Sequence, residues 1–232
     1  MQTHLAEFFR SGGPLMWVIL AVLAATVAVI AERLHFYWVI CRDDADGLVT
    51  AVVRRLNGGD FEGALARIAG GRSPVAVILE QAVARFNAGH SLAEVRHGVE
   101  EAAIRELPRY GRRVGYLAML ANIATLTGLL GTIFGLQESF GSLALVGAAE
   151  KAAVLASGIG QAMNTTAFGL MVAIPCLVAY ARLSSLQARK TEECDAAAVK
   201  LLGYLEAHQD VAREVASGQA AGGEPPLQRV AG

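Results

Sequence analysis

Charge is scarce in this chain, and cysteine is scarcer. Only 18% of its 232 residues are Asp, Glu, Lys or Arg, whereas 54% are hydrophobic. With a mean hydropathy of +0.42, so little charge excludes an ordinary soluble domain and points to the membrane class. The formal net charge of -1 leaves no basic excess to neutralise phosphates, which argues against a nucleic-acid partner. Cys41, Cys176 and Cys194 are scattered, odd in number and without metal-ligand spacing. They suit neither a disulfide framework nor a metal site and read as small apolar filler. His4, His35, His90, His97 and His208 all fall outside the hydroxyl-bearing apolar runs, so a histidine proton relay is not expected. No span carries a nucleophile beside a base, so neither an enzyme nor a cofactor is expected.

What the chain does have is three apolar segments long enough to cross a bilayer, which takes about 20 residues. They are Pro14–Ala31, extending toward Ile40, then Val114–Phe140 and Ala152–Leu183. Trp17 near one end of the first span, with Phe36, Tyr37 and Trp38 past the other, suits aromatic belts at both interfaces. The first span runs straight into Glu32-Arg33 without a small-residue cleavage site and is expected to be a retained anchor. Eleven arginines lie between the first two spans, and Arg189, Lys190, Lys200, Arg213 and Arg229 follow the third. The other side has only Arg10 and Lys151. By the positive-inside rule, residues 1–13 and the 141–151 loop are expected outside, and the 41–113 loop and the C-terminal segment in the cytoplasm.

The cytoplasmic loop has helical periodicity over Asp46–Asn57, Asp60–Ala69, Pro74–Phe86 and Ser91–Leu107, with a capping-box spacing at Ser91–Glu94. Its acidic residues nearly balance its arginines, and it reads as a solvated helical hairpin. A further helix is expected over 184–215, with Leu201, Leu202 and Leu205 on its apolar side. The Gly-, Pro- and Gln-rich end, 216–232, is expected to be disordered.

The second and third spans each contain a hydroxyl-bearing stretch, Gly128–Gly135 and Asn164–Leu170. Unpaired polar groups are costly in hydrocarbon and usually face other helices or a water-filled path. On a helical projection, Leu117, Ala121, Ala124, Thr125, Gly128, Gly131, Thr132, Gly135 and Ser139 share one arc of the second span. On the third span, Gly158, Gln161, Ala162, Thr165, Thr166, Gly169, Ala173, Cys176 and Tyr180 form a matching stripe. Such faces imply close helix packing in a bundle, expected to run across subunits, while the first span looks lipid-facing. Pro175 reads as a kink that releases the Met171 carbonyl. Glu32 reads as an interface residue paired with Arg33, and Glu138 as a solvated residue at the outer end of its span. Neither central helix has a firmly buried carboxylate, which a complete proton carrier would want.

In these motifs the chain resembles the MotA/TolQ/ExbB proton-channel family, in its ExbB and TolQ branch. The resemblance rests on Gly13-Pro14-Leu15-Met16-Trp17 with Glu32-Arg33-Leu34, on Gly128–Gly135, and on Gly158–Pro175. It implies an all-α inner-membrane protein with three transmembrane helices and a helical cytoplasmic domain. It also implies a homo-oligomer, pentameric in this family, around the single membrane helix of an ExbD- or TolR-like partner. That partner's Asp supplies the acid missing here, with protons as the transported ion and no other cofactor. Thr132 and Thr166 match the family's pore-facing threonines, with Thr165 beside them. Gln161, Thr125, Gly128, Gly131, Gly135 and Gly169 serve as supporting lining. Many relatives have Glu where Gln161 stands, and Gln cannot titrate, so a hydrogen-bonding role is what remains there. The implied function is a stator that couples the proton motive force to work on the cell envelope, in nutrient uptake, envelope maintenance or gliding. The alternative is a scaffold whose Gly and Thr stripes only pack helices.

Overall fold

The computed structural model describes residues 13–41 and 44–218, with side chains to residue 208. The readings made for residues 1–12 and 219–232 fall outside these. The described chain is all helix: α1 (Leu15–His35), a π-helical turn (Phe36–Ile40), α2 (Ala45–Asn57), α3 (Phe61–Ile68), α4 (Pro74–Asn87), α5 (Leu92–Glu106), the single turn α6 (Pro108–Gly111), α7 (Val114–Ser142) and α8 (Lys151–Gly218). Three of its helical stretches are long and apolar enough to cross a membrane. The third span and the helix expected after it are one element, because no proline stands between Leu183 and Gly218 and the helix carries the lone Gly203 of that stretch within it. That helix takes in 216–218, where disorder was expected.

The contacts divide the chain into two compact units. The first contains α1, α7 and α8 as far as Leu186. Helix α1 buries one narrow stripe, Met16, Ile19, Val22, Thr26 and Arg33, and leaves Trp17, Val18 and Val27 exposed. Its C-terminal end is held by Glu32, which pairs with Arg33 at 2.7 Å and with Arg113. Arg113 has a left-handed backbone (φ 65°) just before α7 begins.

Helix α7 buries Val114, Leu117, Ala121, Ala124, Gly128, Gly131, Gly135 and Ser139. The steps of three and four residues make a straight seam along one side of the helix. Small residues of α8 meet it. A Cβ on Gly169 would lie 2.7 Å from the Ala124 carbonyl oxygen, and one on Gly128 3.4 Å from the Gly169 Cα. Farther out, a Cβ on Gly135 would stand 3.1 Å from that of Ala162. The two small-residue faces therefore close on each other within one chain, where packing across subunits was expected. The reason is steric: with no side chains between them, the two backbones of one hairpin come into direct contact.

Cys176 does more than fill space. Its Sγ donates to the Leu117 carbonyl of α7 at 3.0 Å and lies 3.7 Å from Thr26 Oγ1 of α1. It follows Pro175, which lacks an N–H and so leaves the Met171 carbonyl without its ladder donor.

The second unit comprises residues 36–110 and α8 from Gln187 onward. Asp44 and Asp60 cap α2 and α3 by accepting from the Gly47 and Gly63 amides. The Ser91–Glu94 capping box forms in full at the start of α5. This region is a packed bundle rather than a solvated hairpin. Val49, Val52, Ile78, Leu79 and Val95 are at most 1% exposed, as are Leu201 and Leu205 of α8. The apolar side of α8 supplies the wall that the loop helices lack by themselves. Polar links from α8 complete it: Lys200 Nζ reaches Asp46 Oδ1 at 2.8 Å, and the Tyr204 hydroxyl donates to Asn57 Oδ1 at 2.9 Å. Phe36 and Tyr37, expected in an interfacial belt, are instead buried, and the Tyr37 hydroxyl donates to the Tyr110 carbonyl at 2.6 Å. Trp38 remains exposed. Burial pushes the Cys194 thiol up to about 12, with Asp195 adding to the effect.

Gly169→Ala is expected to force α7 and α8 apart at a cost of about 1–3 kcal/mol, because the blocking atoms are backbone. Gly115→Ala, where the added methyl meets nothing within 4 Å, should be neutral. Thermal unfolding of the two variants in detergent compares them directly. In the second unit, Leu79→Ala should cost about 2–5 kcal/mol and speed amide exchange in α4 while leaving α7 unchanged.

Candidate functional site

The seam between α7 and α8 positions every hydroxyl singled out in the sequence. Thr165 is 1% exposed and packs its methyl against Gly131. Its Oγ1 donates to the Gln161 carbonyl at 3.0 Å. Thr125 donates to the Ala121 carbonyl at 3.0 Å and Thr132 to the Leu129 carbonyl at 2.6 Å. These three satisfy their donors on their own helices, as threonine does in apolar surroundings. Thr166 is different. Its Oγ1 crosses the seam and donates to the Gly128 carbonyl at 2.8 Å. In the α7 ladder that carbonyl is also the acceptor for the Thr132 amide, four residues on. One carbonyl thus joins the two threonines singled out in the sequence.

The seam has two edges, and the polar residues divide between them. Gln161 and Thr166 are five positions apart, which separates them by about 140° around α8. Glu138 and Thr132, six apart on α7, are separated by about 120°. Gln161 and Glu138 share one edge, where they line a cavity with Pro14 and Leu15 at the start of α1. Thr166, Thr132 and Thr125 occupy the other edge. The single stripe that combined Gln161 with Thr166 is therefore split by the packed glycines. The glycines Gly128, Gly131, Gly135 and Gly169 form the seam itself rather than an open lining. Pro175 lies on α8 beyond it, beside the Cys176 link to α7.

Sequence reasoning passed over two features. Cys176 has the composition of filler, and only its neighbour Leu117 reveals a hydrogen bond. Glu138 is exposed, as a solvated end residue should be, but its position on α7 says nothing of the α1 start beside it. Helical projection alone would have separated Glu138 from Thr132, but not assigned it a cavity.

As to chemistry, hydroxyls and one amide can donate and accept but do not titrate near neutral pH. Among the described residues, no group of three or more His, Cys, Asp or Glu is placed to hold a metal ion. The arrangement suits hydrogen-bonded passage or packing of a partner group at the Thr132–Thr166 edge.

The profile of the MotA/TolQ/ExbB proton channel family matches residues 71–196, more than half of the chain. The biopolymer transport protein exbB1 of Vibrio cholerae is 33% identical over 183 residues, covering 77% of this chain and 78% of that protein. An ExbB homolog of Methanothermobacter thermautotrophicus is 30% identical over 77% of this chain and 62% of its own length. The Tol-Pal system protein TolQ of Haemophilus influenzae is 41% identical over a shorter segment, 34% of this chain and 35% of TolQ. The chain thus spans less than two thirds of some of these relatives and over three quarters of another. With three membrane-length helices, a glycine seam carrying paired threonines and these alignments, the chain belongs to the MotA/TolQ/ExbB proton channel family, in its ExbB/TolQ branch.

Proposed function

We propose that this chain is the proton-conducting stator subunit of an ExbB- or TolQ-type complex in the inner membrane, with its N-terminus outside and its C-terminal helix in the cytoplasm. It works as a homo-oligomer, a pentamer by family resemblance, around a single-span partner of the ExbD or TolR kind. That partner carries a membrane aspartate, and the Thr132–Thr166 edge faces it. Protonation neutralises the aspartate and weakens its attraction to the hydroxyls; deprotonation restores it. Alternation between these states shifts or rotates the partner and transmits work to the envelope. One charge crossing 100 mV yields roughly 2.3 kcal/mol, so several protons accompany each substantial mechanical step.

One observation carries the reading. The Thr166 hydroxyl bonds across the seam to Gly128 in spans that contain no carboxylate from Val114 to Gln137 or from Ala152 to Ala181. A Thr132–Thr166 edge without an acid of its own is complementary to an acid brought by another chain.

A second reading, a non-conducting scaffold, draws support from Thr125, Thr132 and Thr165, which all bond their own helices. Substitution at Thr166 separates the two. Thr166→Ser keeps the hydroxyl and is expected to retain partner-dependent proton flux in vesicles. Thr166→Val should preserve assembly and reduce that flux by about tenfold or more, the scale of losing a positioned proton-transfer group. Equal flux in both variants, with assembly intact, would remove Thr166 from the conducting role, and no partner-dependent flux in the unsubstituted complex would favour the scaffold.

A further inference from the structure

Between the start of α1 and the outer ends of the α7–α8 seam lies a cavity of about 180 Å³. Pro14, Leu15 and Phe134 give it apolar walls, and Gly131 and Gly135 form its side toward the seam. Two polar side chains line it, the exposed Glu138 from α7 and the half-buried Gln161 from α8. Among the described residues that line it, Glu138 is the one titratable group; neither α1 nor α8 contributes a charge. Glu138 is also the sole carboxylate in α7. The volume accommodates several waters, and the amide, the carboxylate and nearby backbone supply the hydrogen-bond partners that such waters require.

The cavity is an open groove along the edge of the seam, with Pro14, Phe134 and Glu138 exposed. Seven residues of α7 separate Glu138 from Gly131, about 10 Å at 1.5 Å per residue. At the inner end a side chain on Gly131 would run into Thr165, 2.3 Å from its Cγ2 and 3.4 Å from its Oγ1. Glycine there leaves room for the Thr165 methyl, which packs behind the cavity floor. Thr165 directly precedes Thr166, whose hydroxyl emerges at the opposite edge of the seam.

We propose that this cavity is an outer half-channel within each protomer and that Glu138 is its proton-collecting group. The inference rests on the proton-conducting reading above. The Glu138 carboxylate takes a proton from water outside and returns it to a water of the cavity. Gln161 orients that water, and the carboxylate regains its charge. The residue at position 161 needs no acid of its own, because the acid of the cavity stands on the facing helix.

Two measurements on the full chain test this. In membranes, Glu138→Cys and Gln161→Cys should react with a charged, impermeant methanethiosulfonate added from outside, whereas Met171→Cys on the exposed face of α8 should not. Failure of Gln161→Cys to react, or its reaction only from the cytoplasmic side, would overturn the half-channel. In vesicles containing the co-purified single-span partner, Glu138→Gln should cut proton flux about tenfold and flatten its dependence on outer pH. Glu138→Asp should retain both, and adding Gln161→Glu to Glu138→Gln should restore them by returning a carboxylate to the same cavity. If Thr166→Val abolishes flux while Glu138→Gln leaves flux and pH profile intact, the entrance role of Glu138 is wrong and conduction stands. If neither variant alters flux, the roles of both Glu138 and Thr166 are wrong, and if the unsubstituted complex carries no partner-dependent flux, the conducting reading itself falls, and this inference with it.

Discussion

The direct approach of two helix backbones is the constraint on which the membrane unit depends. Gly128 and Gly169 lie so close that an added methyl on either would touch the other helix's main chain. Lipid offers no hydrophobic drive for helices to associate, so van der Waals contact between bare backbones has to supply much of the cohesion. The same proximity lets the Thr166 hydroxyl reach the Gly128 carbonyl, a bond between two helices rather than within one. It also determines which polar groups can meet. The closed seam puts Thr132 and Thr166 on one side and Glu138 and Gln161 on the other.

Polarity inside the unit is handled by pairing. Thr125, Thr132 and Thr165 bond to carbonyls of their own helices. Thr26 lies against Cys176, which in turn bonds Leu117, so all three helices share a buried polar contact near Pro175. Charges gather at the ends, as Glu32 does with Arg33 and Arg113. A span built in this way meets little desolvation cost and leaves titration to groups at its mouth or on a partner.

Periodicity made the helices legible before any coordinates, since apolar residues at steps of three and four, capped by Asp44, Asp60 and Ser91, have few other conformations open to them. The glycine and threonine faces were legible for the same reason. What those faces pack against was not. A stripe records which residues share a side of a helix but not which neighbour covers it, and here the neighbour is the next span of the same chain. Phe36 and Tyr37 mislead similarly: aromatics after an apolar run suit a membrane interface, yet they are buried beside Tyr110. The loop helices, balanced in charge, suggest a solvated hairpin until Leu201 and Leu205 supply the distant half of their core.

By itself the sequence determined the membrane class, the three long apolar helices, the small faces of two of them and the lack of a carboxylate in mid-span. These follow from composition and helical period, which are local properties. Tertiary structure decided that the two small faces close on each other, that Gln161 and Thr166 stand on opposite edges, and that Glu138 opens into a cavity with the start of α1. Each of those depends on residues far apart in the chain coming within a few ångströms, and no local periodicity encodes that distance.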